Sequence, residues 1–562
     1  MLNMSVGRQD FKKMVDQDNS PYVDKTHLIE DVLSEDILLY TRPRRFGKSL
    51  NMSMLYYFFS NKENSQELFK GLRISSNNEA MKHLNQYPVI NISFGGLEYP
   101  TLQKQISGIG SKISDVVSNF PELRSSESLS EHQKNILSRL ENMEYKDIEL
   151  EESLNILSKF LYLHYQKKVM ILIDEYDVPL NHARNQGYYD EFYSFYSIFL
   201  SKGLKYNDYL ERGVLTGCLG IVKDSMFTGL NNVKVHSITD THAGDCFGFT
   251  QDEVDELLRK ANLLEKREII REWYDGYQFG NHEIYNPWSV SSYIDDLQSD
   301  YDIYPKTYWL GTSANREIYD YIKNSDKVLK EDFRKLVDGE AITRVINMDL
   351  SYRDLEYHQY KSENIYSYLL YGGYLKILRQ AIDIYGEPIE DTYDIAIPNR
   401  EISRIYIKSF NRWFSDTYPN SQYEFIDALL NRETNKANEI LNGLLFQSVS
   451  YFSYDKNYYK GYITGLMENH GYRIQSEGES GLGRFDLFIY KSMNSPAILI
   501  ECKYTRDRAQ LKKMTYQGIH QMIDKKYIEG LNALGYKNVI AYCISFYKKE
   551  CHIEIVDEPM KC

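Results

Sequence analysis

The chain has 562 residues, too many for one hydrophobic core, so we expect two or three domains. Its apolar content of 42% and charged content of 26% are typical of a globular protein in water. No apolar stretch approaches the length of a membrane span. The formal net charge of −14 disfavours a protein coated in nucleic acid, although a local basic cleft is compatible with it.

The N-terminus and the cysteines predict a cytoplasmic protein. The first residues, Met1 to Asp10, lack the apolar core of a signal peptide. The cysteines are scattered without the paired spacing of metal ligands, so we expect free thiols in a reducing compartment and no zinc site. They are Cys218, Cys246, Cys502, Cys543, Cys551 and Cys562.

The first element predicted along the chain is a strand that runs into a phosphate-binding loop. The apolar run Ile37 to Tyr40 is followed by a loop ending in Gly-Lys-Ser and then by the apolar segment Asn51 to Phe59. This is the order of a P-loop, in which backbone N–H groups hold phosphate, Lys48 supplies a positive charge and the Ser49 hydroxyl binds Mg²⁺. The usual pattern has glycine six residues before the lysine, where this chain has Arg42. The motif alone is therefore also compatible with an ordinary turn.

A second motif supplies the acidic half of such a site. After a predicted strand at Tyr87 to Phe94 and an exposed helical segment at Glu127 to Glu152, the apolar run Val169 to Ile173 predicts a buried parallel strand. It ends in Asp174 and Glu175, as in a Walker B motif, where the aspartate holds Mg²⁺ through water and the glutamate polarises the attacking water. A solvated acidic turn explains these carboxylates alone. The two motifs together predict NTP binding with hydrolysis.

The elements that follow predict a parallel sheet succeeded by a helical region. Arg212 to Gly217 is a predicted strand that contains Thr216, at the position where such ATPases carry a sensor. A capping box, Thr250 with Glu253, predicts the start of a helix, and a helical, tyrosine-rich region extends to about residue 440. Strands and helices alternate in the first part of the chain, which favours a parallel α/β sheet.

The C-terminal part of the chain predicts a metal-dependent nuclease site. Two strands are predicted, at Gly483 to Tyr490 and Ala497 to Tyr504, and alternation places Glu501 and Lys503 on the same face. Together with Asp486 they form an acid–acid–lysine set, in which two carboxylates hold Mg²⁺ and the lysine orients or deprotonates the attacking water. Surface salt bridges between two strands are the alternative explanation of these charges.

In these motifs the chain resembles the predicted AAA-ATPase-like proteins that carry a C-terminal PD-(D/E)XK nuclease-superfamily domain. The resemblance covers nearly the whole length. Its strings are Pro21 to Thr26, Arg42 to Ser49, Ile173 to Leu180, Phe227 to Asn232, Trp273 to Tyr277, Tyr285 to Ser289, Tyr371 to Tyr374, Glu479 to Asp486, Glu501 to Lys503 and Gln521 to Tyr527. It implies an α/β fold class: an N-terminal P-loop (AAA-type) parallel sheet with helices on both faces, a helical middle region and a C-terminal α/β restriction-endonuclease-like domain.

The resemblance also implies the roles of individual residues. ATP and Mg²⁺ would be held by Arg45, Phe46, Gly47, Lys48, Ser49, Leu50 and Asp174, with Ser49 and Asp174 at the metal and Glu175 catalytic. In the nuclease part, Asp486, Glu501, Lys503 and Gln521 would be catalytic, with Asp486 and Glu501 at a metal and Gln521 on a helix predicted from Lys513 to Gly530. Candidate sensors are Thr216, Asn231 and Asn232, although turn asparagines also cap backbone groups.

Two assignments stay open at this point. Many relatives have an arginine where this chain has Gly220, so an arginine sensor would have to come from elsewhere, with Arg184 and Arg212 as alternatives. The nuclease fold usually adds a carboxylate from its first helix, and both Glu468 and Glu479 are candidates for it.

These expectations lead to one principal hypothesis and two alternatives. The principal hypothesis is a cytoplasmic ATPase that controls an attached Mg²⁺-dependent nuclease acting on DNA or RNA. Its domains would be a P-loop core at 1–250, a helical lid and linker at 251–440, and a nuclease-like domain at 441–562. One alternative is a nucleotide-gated nucleic-acid or protein binding module with an inactive nuclease fold; the other is a P-loop enzyme of small-molecule metabolism. No membrane partner is expected, and a homo-oligomer is compatible with the sequence.

Overall fold

The computed structural model describes residues 2–16, 21–219, 232–309, 327–337, 339–350, 354–355, 362–417, 419–448, 456–468, 471–548 and 550–556. The chain divides into two compact units, the first of Met1–Trp309 with Ala341–Ile402 and the second of Leu310–Glu340 with Ser403–Cys562. The boundaries of the three domains expected from the sequence stay a prediction. Among the described helices, none is both long and apolar enough to cross a membrane.

Helices and strands are numbered separately in chain order. The helices are α1 Phe11–Val15, α2 Leu28–Ser34, α3 Lys48–Phe59, α4 Gln66–Phe69, α5 Asn78–Met81, α6 Leu102–Ser118, α7 Glu131–Glu141, α8 Asp147–Glu151, α9 Ser153–Tyr165, α10 Val178–Gln186, α11 Tyr189–Leu204, α12 Gln251–Ala261, α13 Arg267–Tyr274, α14 Pro287–Ser299, α15 Lys327–Val337, α16 Ser362–Tyr371, α17 Arg400–Thr417, α18 Pro419–Leu430, α19 Thr434–Ser448, α20 Lys456–Glu468, α21 Leu511–Asp524 and α22 Tyr527–Ala533. The strands are β1 Ile37–Thr41, β2 Val89–Ser93, β3 Val169–Asp174, β4 Leu210–Gly217, β5 Lys234–His236, β6 Tyr277–Phe279, β7 His282–Ile284, β8 Ile342–Val345, β9 Lys376–Ile382, β10 Pro388–Ala396, β11 Arg473–Ser476, β12 Glu479–Ser480, β13 Gly483–Arg484, β14 Leu487–Tyr490, β15 Ala497–Tyr504, β16 Val539–Tyr547 and β17 Glu550–Ile555.

The first unit is built on a parallel five-stranded sheet in the order β2-β3-β4-β1-β5. Both faces of the sheet are covered. Met170 and Leu172 of β3 pack in one cluster with apolar residues of α3, while the alternating neighbours Ile171 and Ile173 point to the opposite face and are also buried. A parallel sheet covered by helices explains why β1 and β3 are continuous apolar runs. The predicted N-terminal α/β fold is confirmed.

The strand order brings three chain segments together at the carboxyl edge of this sheet. β4 lies between β1 and β3, with Thr41 opposite Gly217 and Ile173 opposite Leu215. The P-loop after β1, the acidic end of β3 and the hydroxyl of Thr216 near the end of β4 are therefore neighbours. Ligands of open α/β sheets bind at this edge.

The middle of the chain is largely helical, as expected, but it also contains strands that were not predicted. The helix predicted from Thr250 is α12, and both hydrogen bonds of the capping box with Glu253 are present. A short hairpin, β6–β7, and a three-stranded antiparallel sheet in the order β8-β10-β9 accompany the helices. The β9–β10 turn contains Gly386 in the left-handed conformation, with φ of 85°, which is the local signal for that hairpin.

The second unit contains a mixed five-stranded sheet in the order β11-β14-β15-β16-β17. Ile500 and Cys502 of β15 join a cluster with residues of α18, α19 and α20, whereas Lys503 lies on the opposite face and contacts Gln521 of α21. The predicted alternation along β15 is confirmed. Two predicted elements are divided: the strand at Gly483 to Tyr490 into β13 and β14, and the helix at Lys513 to Gly530 into α21 and α22.

Candidate nucleotide and nuclease sites

The P-loop turns sharply into α3. Gly47 is the last residue before that helix and has φ of 84°, and Arg45 also lies in the left-handed region with φ of 69°. A Cβ on Gly47 would meet no atom within 4 Å, so the backbone conformation, and not lack of space, favours glycine there. This turn points the free N–H groups at the start of α3 toward the edge of the sheet.

Arg42 fixes the entry to the loop from inside the protein. Its side chain is fully buried, and its guanidinium donates to the carbonyls of Thr41 and His236 at 2.8 Å and of Ala243 at 3.0 Å. The guanidinium also lies 5.2 Å from the ring centres of Phe247 and Phe279. Burial lowers the pKa of Arg42 to about 10, which leaves it protonated at neutral pH. The arginine in the glycine position is thus a structural anchor.

The other loop side chains are also held by the protein. Phe46 is buried against Tyr277 and Phe279 of the β6–β7 hairpin, with ring centres 4.9 and 5.1 Å away. Arg45 stacks on Trp288, with 3.8 Å from the guanidinium carbon to the ring centre. Leu50 is half-buried and packs against the core beneath α3. These contacts leave the backbone N–H groups of Arg45, Phe46 and Leu50 as the contribution of these three residues to anion binding.

Lys48 lies over the loop that it follows. Its Nζ donates to the carbonyls of Arg42 at 2.9 Å and Pro43 at 2.8 Å. A P-loop lysine in this position already points to the space that the loop encloses. The same ammonium is 3.8 Å from the Cys218 sulfur at the end of β4.

A chain of hydrogen bonds links the ends of α3, β3 and β4. Ser49 Oγ donates to Asp174 Oδ2 at 2.6 Å, and Thr216 Oγ1 donates to Asp174 Oδ1. Asp174 is only 5% exposed, so both hydroxyls are ordered by a buried carboxylate. The sequence predicted Ser49 and Asp174 as partners in one site, and the structure brings them together. Hydroxyl and carboxylate oxygens at this distance are a donor pair for Mg²⁺.

Glu175 follows in a strained position. Its backbone has φ of 55°, and burial together with the neighbouring Asp174 raises the pKa of its carboxyl group. A Cβ on Gly95 would lie 2.4 Å from Glu175 Oε2, so the glycine after β2 makes room for this side chain. A carboxylate with a raised pKa beside the phosphate-binding loop is a suitable base for a water molecule.

Two further contacts at this edge were not expected. Asp177 is buried, and its Oδ2 accepts from the backbone N–H groups of Cys218 at 2.8 Å and Leu219 at 3.2 Å, which fixes the chain after β4. Gly373, with φ of 81°, packs so closely that a Cβ would lie 3.0 Å from both Pro43 and Trp309. The Tyr371 to Tyr374 string therefore supports the P-loop. Only its place in the family pattern marked it in the sequence.

Of the candidate sensor residues, the structure places only some near the P-loop. Thr216 contacts Asp174, whereas Asn231 and Gly220 lie outside the described residues, and of the asparagine pair only Asn232 is described. Arg212 bonds the carbonyl of Glu35 before β1 and so lies at the opposite end of β4 from Gly217, about 16 Å along the strand. The side chain of Arg212 is therefore too far from the P-loop of the same chain to contact a nucleotide bound there. Arg184 bonds the adjacent Asn185 on α10.

The C-terminal unit brings together the acid–acid–lysine set. Asp486 lies directly before β14, and its Oδ2 accepts from the backbone N–H of Cys502 at 2.9 Å. Lys503 Nζ donates to Glu501 Oε1 at 2.9 Å and to Gln521 Oε1 at 2.5 Å. Asp486 and Glu501 are buried, so surface salt bridges do not explain this set.

The helix α21 supports this cluster. Gln521 Nε2 donates to Glu501 at 3.1 Å and to the Tyr527 hydroxyl at 3.2 Å, and Tyr527 in turn donates to the carbonyl of Arg484 at 2.7 Å. A Cβ on Gly518 would lie 2.2 Å from Cys543 Sγ and 3.2 Å from Lys503 Cε, so this glycine makes room for both side chains beside the helix. Tyr527 and Gly518 were missed by sequence reasoning, although Tyr527 lies in a family string.

The first helix of this fold contributes a lysine where a carboxylate was expected. Lys460 of α20 donates to Glu477 Oε1 at 2.7 Å and lies 3.4 Å from Asp486 Oδ1. Burial lowers the pKa of Lys460, but the bond to Glu477 and the charge of Asp486 outweigh it and raise the pKa overall. Glu479 is exposed on β12, and the side chain of Glu468 lies outside the described residues. The acid next to α20 is Glu477, which the sequence did not single out.

Comparison with protein families matches two regions of the chain, and each region contains one of the candidate sites. Residues 5–227 match the family described as a predicted AAA-ATPase, and residues 455–555 match the PD-(D/E)XK nuclease superfamily. The chain thus carries one region similar to AAA-ATPase-like proteins and one region similar to the PD-(D/E)XK nuclease superfamily. The resemblance inferred from the motifs is therefore confirmed. The P-loop, Asp174 and Thr216 lie inside the AAA-ATPase-like match, and Asp486, Glu501, Lys503 and Gln521 lie inside the nuclease-superfamily match.

Individual relatives add little about activity. A protein of Azotobacter chroococcum mcd 1, described as an uncharacterized protein in the vnfD 5′ region, is 27% identical over 294 residues. The match covers 51% of this chain and about half, 51%, of that relative. The solved structure of the Aeropyrum pernix ORC2 protein (ADPNP–ADP complexes) aligns with 68% of this chain and 92% of its own, at 12% identity and a TM-score of 0.25.

Proposed function

We propose that this protein binds and hydrolyses ATP and thereby controls an attached metal-dependent nuclease that acts on DNA or RNA. The observation that carries the first half is the bond between Ser49 and Asp174 beside Lys48 at the carboxyl edge of the parallel sheet. The buried set of Asp486, Glu501 and Lys503 carries the second half. Control of one by the other requires two states of the chain that differ in their affinity for ATP.

The residues around the P-loop fit ATP and Mg²⁺. The N–H groups at the start of α3 bind phosphate oxygens, and Lys48 exchanges the carbonyls of Arg42 and Pro43 for a phosphate. Ser49 and Asp174 would hold the metal, which when bound would neutralise charge on the phosphates. Glu175 accepts a proton from the water that attacks the terminal phosphorus, because its raised pKa makes it a better base.

The nuclease residues fit a phosphodiester substrate. Asp486 and Glu501 would hold a divalent cation, which supplies Lewis-acid stabilisation when it is bound. Lys503, held between Glu501 and Gln521, orients the water that attacks the phosphorus. One P–O bond forms from this water and one breaks to the leaving sugar oxygen, which takes up a proton. Gln521 positions Lys503.

The nuclease assignment is tested by Lys503→Ala. Cleavage of labelled single- and double-stranded DNA and RNA in Mg²⁺ or Mn²⁺ should be lost, while ATP binding, measured by titration calorimetry, is unchanged. Lys513→Ala is the matched control, because that lysine is exposed on α21 and should leave both properties intact. Cleavage that survives Lys503→Ala would contradict the assignment.

A second candidate function is favoured by Lys460. Its ammonium lies 3.4 Å from Asp486, where the fold usually supplies a further carboxylate, and it offsets the charge that attracts a cation. In this alternative the protein is a nucleotide-gated binding module with an inactive nuclease fold. Metal titration separates the two functions. The enzyme binds Mn²⁺ through Asp486 and Glu501 and loses the cation in Asp486→Ala, whereas the binding module shows the same weak binding in both proteins.

A further inference from the structure

A cluster of metal-ligating side chains lies at the β5 edge of the parallel sheet. Asp31 of α2, His236 at the end of β5 and His242 in the following loop each offer one ligand atom, and these atoms lie within 4.8 Å of one another. His242 Nε2 is 2.7 Å from Asp31 Oδ1, and the other carboxylate oxygen of Asp31 accepts from the Tyr40 hydroxyl. Neither the ATPase nor the nuclease mechanism uses these side chains.

His236 is the residue of this cluster that has an unsatisfied ring nitrogen. It is 3% exposed, and its Nε2 atom is buried with no hydrogen-bond partner among the described residues. Native proteins pair nearly all such buried polar atoms. A bound cation would satisfy what the protein leaves unpaired.

We propose that Asp31, His236 and His242 bind a transition-metal ion of the zinc type. Two imidazole nitrogens and one carboxylate oxygen are a donor set for Zn²⁺, whereas Mg²⁺ prefers oxygen ligands alone. The rings of His236 and His242 have centres 5.0 Å apart. Two imidazoles on one tetrahedral zinc, each with a metal–nitrogen distance of about 2.0 Å, place their ring centres about 5 Å apart. The side chain of His242 is 61% exposed, so a water molecule can complete the coordination.

Such an ion would tie together the segments that hold the P-loop anchor. The guanidinium of Arg42 donates to the carbonyls of His236 and Ala243, which are a metal ligand and the residue directly after the ligand His242. The third ligand, Asp31, comes from α2. The site is therefore a structural metal site that would connect α2 to the β5 edge of the parallel sheet. The cysteine pattern could not reveal it, because its sequence signal is two histidines six residues apart.

The test is titration of the full-length chain with Co²⁺ and Zn²⁺. The titration uses the Asp486→Ala background, so that the nuclease site does not compete. We expect one Co²⁺ per chain with the visible absorption of a tetrahedral site, displaced by Zn²⁺, and a higher midpoint of thermal unfolding with metal. His242→Ala should weaken Co²⁺ binding at least about tenfold. The control is His132→Ala, an exposed histidine of α7, which should bind like the parent protein.

Three outcomes would overturn the proposal. The first is no stoichiometric metal. The second is equal affinity in His242→Ala and the parent, since the exposed His242 can be removed without loss of the fold. The third is a sulfur-to-cobalt charge-transfer band that His242→Ala leaves unchanged, because it would place the ion at the neighbouring set of His27, Asp245 and Cys246.

Discussion

At the residue scale, the sequence predicted the motif that contains Arg42 but not the contacts that this side chain makes. The motif identified a P-loop with an arginine where glycine is usual, and the string from Arg42 to Ser49 is part of the family resemblance. What the arginine does depends on carbonyls of His236 and Ala243, about two hundred residues further along the chain. No local pattern predicts such partners, because they are set by the strand order of the sheet.

Restoring the usual glycine is therefore expected to harm the protein. Arg42→Gly removes the donor to three backbone carbonyls and leaves a cavity between Phe247 and Phe279. We predict a loss of about 3 to 5 kcal/mol in the free energy of unfolding of the first unit and weaker ATP binding. Arg42→Lys keeps the positive charge but loses the planar guanidinium with its several donors. Its free energy of unfolding should therefore lie between those of the parent and Arg42→Gly. Thermal unfolding measures the effect. A variant as stable as the parent would contradict the anchoring role.

Glu175 allows the ATPase step to be separated from ATP binding. Glu175→Gln keeps the shape of the side chain but removes the base, so turnover should fall about 100- to 1000-fold. The dissociation constant for ATP should change little, because Lys48 and Ser49 remain in place. Phosphate release and titration calorimetry measure the two quantities. Glu191→Gln, an exposed glutamate on α11, is the control. Loss of binding together with turnover would show that Glu175 acts as a structural residue.

At the scale of elements, local patterns predicted the strands better than their arrangement. The apolar runs before Lys48 and Asp174 became β1 and β3, and the period of two along β15 placed Glu501 and Lys503 correctly. The position of β4 between β1 and β3 was not predictable, because it depends on long-range pairing. The β8-β10-β9 sheet was missed because its strands are largely exposed, so they lack the apolar runs that mark buried strands.

The start of α17 contains a buried carboxyl group whose raised pKa predicts a pH-dependent contribution to stability. Glu401 accepts from the Ser289 hydroxyl at 2.7 Å and the Trp309 N–H at 2.9 Å, and burial raises its pKa from 4.5 to about 7. Between these values the folded protein keeps a proton that the unfolded chain releases. The contribution of this group to stability is therefore complete below pH 4.5 and is lost as the pH rises through 7.

Glu401→Gln removes this pH dependence. The amide can donate to Ser289, whose hydroxyl then accepts, so the packing is kept. Between pH 4.5 and 8 the parent should lose up to about 3 kcal/mol of stability relative to the variant. Thermal unfolding across this range measures the difference. The exposed Glu387→Gln serves as the control. A difference that stays constant with pH would show that Glu401 is ionised throughout.

At the scale of the whole molecule, the central claim is that ATP controls cleavage. Its support is that one chain contains a region matching AAA-ATPase-like proteins and a region matching the nuclease superfamily, and that the proposed site residues lie close together in each. The sequence predicted both domains because their motifs are short and ordered. It could not predict Lys460 beside Asp486, because the family pattern leads one to expect an acid on that helix.

The most direct test is cleavage of labelled single- and double-stranded DNA and RNA in Mg²⁺ or Mn²⁺, with and without ATP. The parent protein is compared with Lys48→Ala and Asp486→Ala. The account predicts that Asp486→Ala abolishes cutting and that ATP changes the cutting rate of the parent but not of Lys48→Ala. Cutting that is independent of both ATP and Lys48 would contradict control by the ATPase. No cutting of any substrate by a parent protein that still binds ATP would contradict the nuclease itself and favour the binding module.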